Sequence, residues 1–135
     1  MKIIHKEEVI IDNAKISSAL NGLMFSKKLK INQAIIIKRK RESILDSAIH
    51  MLFVFQKLKI IWLNENKEVV DVKTAHPFIS FLKPKKPAKY IIEMCPENKL
   101  VDNLIGEKLE FTVNGKNNEA VIELIKNALE NERNA

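Results

Sequence analysis

The stretch AIHMLFVF at residues 48–55 decides the fold, and the stretch LKIIWL follows it at residues 58–63. Nearly every residue of the first stretch is apolar apart from His50, as expected for a strand that is covered on both faces. The sequence therefore predicts a buried strand from Ile49 to Phe55 at the centre of the core. It predicts a second strand from Leu58 to Leu63, which contains the single tryptophan, Trp62.

Further strand signals lie on both sides of this pair. Asn64 to Lys67 has turn composition, so we expect the strand before it to pair as a hairpin with the segment 68–72. Other strands are predicted at Ile3 to Ile11, Ala34 to Ile37, Ala88 to Met94 and Lys108 to Val113. The cationic block after Ile37 is expected to form a solvated turn. Three of the four prolines fall between Pro77 and Pro87, which predicts an unpaired loop.

Helical periodicity appears in three places. Apolar residues recur at three- and four-residue spacing from Ala14 to Phe25 and from Asn117 to Arg133, and a short helix is expected over 97–105 before Gly106. We therefore expect a β-rich domain over residues 1–114, with the C-terminal helix of residues 115–135 docked on the same domain. The predicted class is mainly β or α+β, in one small domain.

Composition bounds the setting of the protein. The chain has 135 residues, one cysteine, Cys95, and a formal net charge of +6. A single cysteine forms no internal disulfide, and the charged N-terminus lacks a secretory signal, so we expect a cytoplasmic protein. The apolar runs fall short of the roughly 20 residues that cross a bilayer, so no membrane partner is expected.

Several kinds of site find little support in the sequence. The three glycines, Gly22, Gly106 and Gly115, are too far apart for a glycine-rich phosphate loop. The three histidines and Cys95 lack the close pairing that is typical of zinc sites, so neither a metal nor a cofactor is expected. No catalytic constellation is recognisable, which makes an enzyme the less favoured class.

The leading hypothesis is a non-enzymatic module that binds a small ligand or another protein at one end of the sheet. His50 and Glu93 are polar residues inside apolar segments, where a polar side chain either finds partners or faces a pocket. The candidate binding residues are His50, Glu93, Phe53, Phe55 and Trp62.

Two alternatives come from other functional classes. Basic loops could bind the phosphates of RNA or DNA through Lys38, Arg39, Lys40, Arg41, Lys83, Lys85, Lys86 and Lys89. Solvated loops that protect a strand-rich protein from aggregation explain these residues equally well. An enzyme that uses His50 as a base is the third hypothesis.

Three segments of the chain resemble the domain-of-unknown-function 192 family, in its archaeal branch. They are NGLMF at 21–25, the run from AIHMLFVF at 48–55 through IIWL at 60–63 to EVVDV at 68–72, and YIIEM at 90–94 ahead of Gly106. The motif residues within them are Gly22, Leu23, Met24, His50, Glu93 and Gly106. The resemblance implies a mainly antiparallel, partly closed, barrel-like sheet with one or two short helices, and it supplies no function.

The chain departs from the family pattern directly after the FVF stretch. Where the family usually has Pro-Ile-Asp, this sequence has Lys57-Leu58-Lys59, so a base replaces an acid. Any role of that acid elsewhere in the family is therefore not expected here. The resemblance indicates a divergent member.

Overall fold

Strands dominate the parts of the chain that the computed structural model describes, which are residues 1–17, 28–51, 54–78, 81–112 and 125–133. Their bounds are β1 Ile3–His5, β2 Glu8–Ile11, β3 Asn13–Ser17, β4 Gln33–Ser43, β5 Ile49–His50, β6 Leu58–Leu63, β7 Val69–Ala75, β8 Phe81–Leu82 and β9 Ala88–Met94. The chain is also helical over 125–133, here called α1. This arrangement confirms the mainly β class.

Five strands form the central sheet in the order β3-β4-β9-β6-β7. The β3–β4 pair is parallel and the other three pairs are antiparallel. Two small two-stranded sheets, β1–β2 and β5–β8, lie outside it. All six residues of β6 are buried, and β9 lies between β4 and β6. Both strands have near-continuous apolar sequence, which suits strands that are covered on both faces.

Side-chain alternation divides the buried residues into two cores, one on each face of the sheet. On the first face, Ile36, Ile61 and Ile92 pack with residues from outside the sheet. These include Ile3, Ile10, Ile11, Val101, Leu104, Leu109 and Phe111. On the second face, Ile37, Ile60, Trp62 and Ile91 pack against Ile49, Met51 and Val54. The sheet is thus the shared wall of both cores.

A large bulge interrupts the pairing of β4 with β9. Lys38 pairs with Tyr90, and the next pair is Ser43 with Ala88. The chain thus advances five residues along β4 but two along β9, so β4 contains three residues without a counterpart on β9. Extra residues leave the ladder and bend their strand away from its neighbour. The cationic block at 38–41 is therefore part of a bulged strand, and the expectation of a solvated turn there was wrong.

The stretch at 48–55 does not supply the central strand. Among the described residues of this stretch, only Ile49–His50 form a strand, and it pairs with Phe81–Leu82 in a separate small sheet. Met51 and Val54 are buried against the second face, while Leu52 and Phe53 lie outside the described residues. The stretch is apolar because it covers the sheet. The pairing of β8 also corrects the expectation of an unpaired loop from Pro77 to Pro87.

The barrel-like closure is not supported, because β3 and β7 are the two edges of an open sheet. Two predicted helices are also corrected. Residues Asn13–Ser17 form strand β3 beside β4, with 18–27 outside the description, and residues 97–105 form turns. In the described part of the predicted strand from Lys108 to Val113, Lys108 and Glu110 form isolated bridges, and Val113 lies outside the description. For Asn13–Ser17, pairing with β4 overrode the local helical propensity.

The C-terminal helix is confirmed over 125–133, and residues 113–124 fall outside the description. Its Ile125 and Leu129 are exposed. Docking of this helix on residues 1–114 stays a prediction. Among the described residues, no helix combines the length and the hydropathy needed to span a bilayer.

Candidate functional site

A cleft of about 690 Å³ opens at the end of the central sheet where β6 begins and β9 ends. These two ends meet because Lys59 pairs with Met94 across the antiparallel ladder. The segments that precede β6 and follow β9 therefore form opposite walls. The lining residues are Lys28, Phe55, Gln56, Lys57, Cys95, Pro96, Glu97 and Lys99.

Hydrogen bonds between distant segments hold these walls in place. The backbone N–H of Leu29 donates to Oε1 of Gln56 at 2.9 Å, which ties the segment before β4 to the segment before β6. The buried Asn98 donates from Nδ2 to the carbonyl oxygens of Ile10 and Ile31, at 3.1 and 3.2 Å. Asn98 thereby anchors the segment after β9 to two other parts of the chain. The cleft walls are positioned by tertiary contacts.

The lining combines positive charge with apolar surface. Among the described lining residues, three are cationic, namely Lys28, Lys57 and Lys99, and one is anionic, namely Glu97. Phe55 is 61% exposed, and its ring packs edge to face against Phe78 with the ring centroids 5.1 Å apart. An exposed aromatic ring that a neighbour holds in place offers a flat apolar contact at small entropic cost. The cleft suits a small molecule that has both an anionic and an apolar part.

Glu93 lies two residues before Cys95, which lines the cleft. Its pairing partners are Ile35 on β4 and Ile60 on β6, and strand alternation places it on the second face, with Ile91 before it and Cys95 after it. Its side chain is 4% exposed, and its Oε2 atom has no hydrogen-bond partner among the described residues. Burial raises the pKa of Glu93 to about 7, because a charged carboxylate is poorly solvated there.

Lys59 lies on the opposite face of the same sheet end, and it is also buried. Its Nζ donates to Oδ1 of Asp102 at 2.7 Å and to the carbonyl oxygen of Asn98. Asp102 is 44% exposed on its side chain, and the hydrogen bond from Lys59 lowers the pKa of this carboxyl. Lys59, which stands where the family pattern has an acid, is therefore paired with Asp102, an acid 43 residues away in the sequence.

The predicted binding residues do not form a single group. Phe55 lines the cleft, and Glu93 lies behind the lining without being part of it. Trp62 is fully buried towards the other end of β6, where its indole N–H donates to the carbonyl oxygen of Ser47 at 2.7 Å. The backbone of His50 pairs with Phe81, and the His50 side chain and the whole of Phe53 lie outside the description.

The family motif divides in the same way. Gly22, Leu23 and Met24 lie outside the described residues. Gly106 adopts a positive φ of 89°, which glycine tolerates best, and its N–H donates to the carbonyl oxygen of Val69 at 2.8 Å. Gly106 therefore shapes the turn that packs against β7.

Sequence reasoning missed most of the cleft lining. The sequence does not mark Lys57, Glu97 or Lys99 as candidates for a binding site, and Cys95, which also lines the cleft, is largely buried. Their only shared signal is position, directly before β6 or directly after β9. That signal becomes useful only when the pairing of these two strands is known.

The basic sets lie at the other end of β9. Lys38 pairs with Tyr90, and Lys89 immediately precedes that residue. A second cleft, of about 630 Å³, is lined by Lys38, Arg39, Lys40, Arg41 and Asp46. Among the described residues, no group of three metal-ligating side chains comes together.

Comparison with known proteins identifies the family of this chain. Residues 8–100, more than half of the chain, match the model of the DUF192 family, which is described as "Uncharacterized ACR". The chain belongs to the DUF192 family. The matched region includes β9, β6 and the start of the cleft wall after β9.

Relatives in this family come from archaea. The chain is 42% identical over 95 residues to a UPF0127 protein of Thermococcus sibiricus, which covers 68% of this chain and 58% of the relative. It is 40% identical over 93 residues to a UPF0127 protein of Pyrococcus furiosus, which covers 67% of this chain and 75% of the relative. The matched region is thus less than two thirds of the Thermococcus sibiricus protein.

A solved structure shares the fold. The crystal structure of a protein of unknown function from Novosphingobium aromaticivorans superposes with a TM-score of 0.61, covering 73% of this chain and 72% of that chain. Its sequence identity is 23%. This likeness supports the arrangement of the strands and is a likeness of fold alone.

Proposed function

We propose that this DUF192 protein is a non-enzymatic binding module that takes a small organic anion in the cleft at the end of β6 and β9. The observation that carries the proposal is the lining itself. Lys28, Lys57 and Lys99 supply three ammonium groups around one apolar wall, which Phe55 and Pro96 form.

Charge and shape support a ligand with two chemical parts. Long lysine side chains reach an anion from several directions and adapt to its shape, which suits a carboxylate or a phosphate ester. The phenyl ring of Phe55, supported by Phe78, suits a ring or a short hydrocarbon group. A volume of about 690 Å³ falls in the range of small-molecule sites.

Glu93 supports the proposal from behind the wall. A protonated carboxyl can donate a hydrogen bond and an ionised one can accept, and a pKa of about 7 gives both forms near neutral pH. Its position two residues before Cys95 places it next to the lining of the cleft. The hypothesis of an enzyme using His50 stays a prediction, because that side chain lies outside the description.

Titration with phenyl phosphate and with benzyl alcohol tests the proposal. The first probe carries a ring and a phosphate, and the second carries a ring without a charge. We expect phenyl phosphate to shift the amide NMR signals of Phe55, Lys57 and Cys95, and we expect benzyl alcohol to bind at least tenfold more weakly. Equal affinity for both probes, or shifts confined to other parts of the protein, would contradict an anion-selective cleft.

Phe55 and Phe81 provide a matched pair of variants. Phe81 is 64% exposed, close to the value for Phe55, and it is not part of the cleft lining. The variant F55A should weaken phenyl phosphate binding by about fivefold, since a well-placed aromatic contact contributes roughly 1 kcal/mol. The variant F81A should change the affinity by less than about twofold. Equal losses in both variants would overturn the placement of the ligand.

A further inference from the structure

The bulge between β4 and β9 brings together two basic segments that are far apart in the sequence. Lys38 pairs with Tyr90 and Ser43 pairs with Ala88, so the extra residues of β4 lie opposite Lys89. Lys86 comes two residues before Ala88. Lys89, with Lys86 ahead of it in the chain, therefore lies beside the basic block at 38–41 at one corner of the sheet, at the end of β9 away from the small-ligand cleft.

Backbone contacts fix the second of these segments. The N–H of Lys85 donates to Oδ2 of Asp71 at 3.0 Å, and Nζ of Lys73 donates to the carbonyl oxygen of Lys83 at 2.6 Å. Both anchors are on β7, an edge strand of the central sheet. The segment is held against the sheet while Lys83, Lys85 and Lys86 stay exposed.

The bulge itself encloses the second cleft, and its charges are unbalanced. Four cations at residues 38–41 line it together with one acid, Asp46. Asp46 is already engaged, because it forms an ion pair with Arg41. The Nε of Arg39 is buried and has no hydrogen-bond acceptor among the described residues. A buried donor of this kind gains stability when an acceptor reaches it.

A third group of cations extends the positive field beyond the bulge. Burial, followed by the positive charges of Lys108 and Lys38, lowers the pKa of Lys67. The Nζ of Lys67 lies 4.8 Å from the ring centroid of Phe111, beside Tyr90. Cations on four segments thus lie near this end of β9, which makes the corner a strong attractor for polyanions.

We propose that this corner binds the phosphate backbone of single-stranded nucleic acid. The recognised chemistry is the phosphate oxyanion, with the guanidinium of Arg39 as its central donor and with lysines from both segments around it. Contacts to phosphates fix position and carry no base sequence, so the binding is independent of sequence. This site is separate from the small-ligand cleft and does not depend on the function proposed for it.

Fluorescence anisotropy with a labelled twelve-nucleotide RNA of mixed sequence tests the proposal. The logarithm of the association constant should fall linearly with the logarithm of salt concentration, with a slope of about −0.7 per phosphate contacted. The variant R39Q/K40Q should raise Kd about tenfold at 0.1 M salt and reduce the magnitude of that slope by about 1.4. The absence of binding by the wild-type protein at low salt would overturn the proposal.

Two further variants distinguish binding at this corner from nonspecific attraction by the net positive charge of the protein. K86Q/K89Q removes two cations from the other segment, and K2Q/K15Q removes two exposed cations from outside the corner. All three variants lower the formal net charge of +6 by two. We expect K86Q/K89Q to weaken binding severalfold and K2Q/K15Q to change it by less than about twofold. Equal losses in all three would show general charge attraction and overturn the site. If R39Q/K40Q failed to fold, K86Q/K89Q would decide alone.

Competition with inorganic tripolyphosphate distinguishes the two sources of the phosphate chemistry. If the corner is built for a nucleic acid strand, tripolyphosphate should displace the RNA only at concentrations at least a hundredfold above the RNA Kd. Tripolyphosphate binding as tight as that of RNA would overturn the nucleic acid assignment in favour of a small phosphate compound.

Discussion

Two buried ionisable residues, Lys59 and Glu93, lie on adjacent strands at the same end of the sheet, and their surroundings differ. Lys59 is 5% exposed on the first face and Glu93 is 4% exposed on the second. Lys59 donates to Asp102 and to the carbonyl oxygen of Asn98. Glu93 has an oxygen without a hydrogen-bond partner among the described residues.

This difference in hydrogen-bond partners distinguishes a structural residue from a candidate functional residue. A buried charge that has a partner joins two segments, as Lys59 joins β6 to the turn at 98–102, and it is then occupied. A buried carboxyl with one unpartnered oxygen stays protonated up to a higher pH, and that oxygen stays able to form a hydrogen bond. The second face at this end therefore holds the functional candidate, and the first face holds a structural link.

The largest effect is expected from Lys59→Asp, which restores the residue type that the family resemblance leads one to expect. The change places a buried carboxylate beside Asp102 and removes the cation, so we expect a loss of about 3–5 kcal/mol of unfolding free energy in urea denaturation at pH 7. The double variant K59D/D102K should recover at least about 1 kcal/mol of that loss. A K59D protein as stable as the wild type would show that the ion pair of Lys59 with Asp102 is not needed for stability.

Glu93 should make the protein less stable as the pH rises. Its folded pKa is about 7 and its ordinary value is 4.5, so between these values the folded protein retains a proton that the unfolded chain has lost. The unfolding free energy should therefore fall by about 3 kcal/mol from pH 4.5 to pH 7 and then level off. Urea denaturation at a series of pH values measures this slope.

The variant E93Q isolates the contribution of Glu93. Its unfolding free energy should lack this fall, and the difference between wild type and variant should have its midpoint near the middle of the same pH range. The acids Asp46 and Asp102 have lowered pKa values and lose their contributions only as the pH falls below about 4. Parallel pH profiles for wild type and E93Q would refute a raised pKa for Glu93.

A smaller loss is expected from Asp102→Ala. The change leaves Lys59 buried with the Asn98 carbonyl as its remaining partner, and an undersatisfied buried cation costs about 1–3 kcal/mol. The exposed Asp12 provides the control, because D12A should change the unfolding free energy by less than about 0.5 kcal/mol. Similar effects of D102A and D12A would mean that the ion pair contributes nothing beyond an ordinary surface charge.

The smallest effect is expected from Lys59→Met. Methionine has a similar length and removes the buried charge, while Asp102 keeps access to water through its exposed side. Replacing a buried ion-pair member by an apolar residue is often neutral, so we expect a change within about 1 kcal/mol. Urea denaturation of K59M and D102A side by side measures the difference between removing the buried cation and removing its partner, and equal losses in both variants would contradict it.

Local pattern predicted the strands that are apolar along most of their length. The bounds of β6 and β9 agree with the predicted strands at Leu58 to Leu63 and Ala88 to Met94, and the hairpin of β6 with β7 is confirmed. The same pattern failed for residues 48–55, because a segment that covers a sheet is as apolar as a strand within it. The helix predicted from Ala14 onward was wrong for another reason. Residues Asn13–Ser17 have helical spacing of apolar residues, but they pair with β4 as a strand.

The candidate site was less predictable than the fold. Glu93 and Phe55 stood out because each breaks or ends an apolar segment, and both lie at the cleft end of the sheet. Lys57, Glu97 and Lys99 lacked any such contrast with their neighbours. The partner of Lys59 could not be predicted at all, because 43 residues separate it from Asp102.

The sequence by itself determined which segments must be buried, because apolar residues leave water wherever they lie in the chain. It also determined that packing, without an internal disulfide, must hold the fold, since there is one cysteine. Only the tertiary structure decided which segments face one another. That choice paired Lys59 with Asp102, left Glu93 beside a cleft and set Lys89 beside the basic bulge of β4, because strand register brings distant residues together.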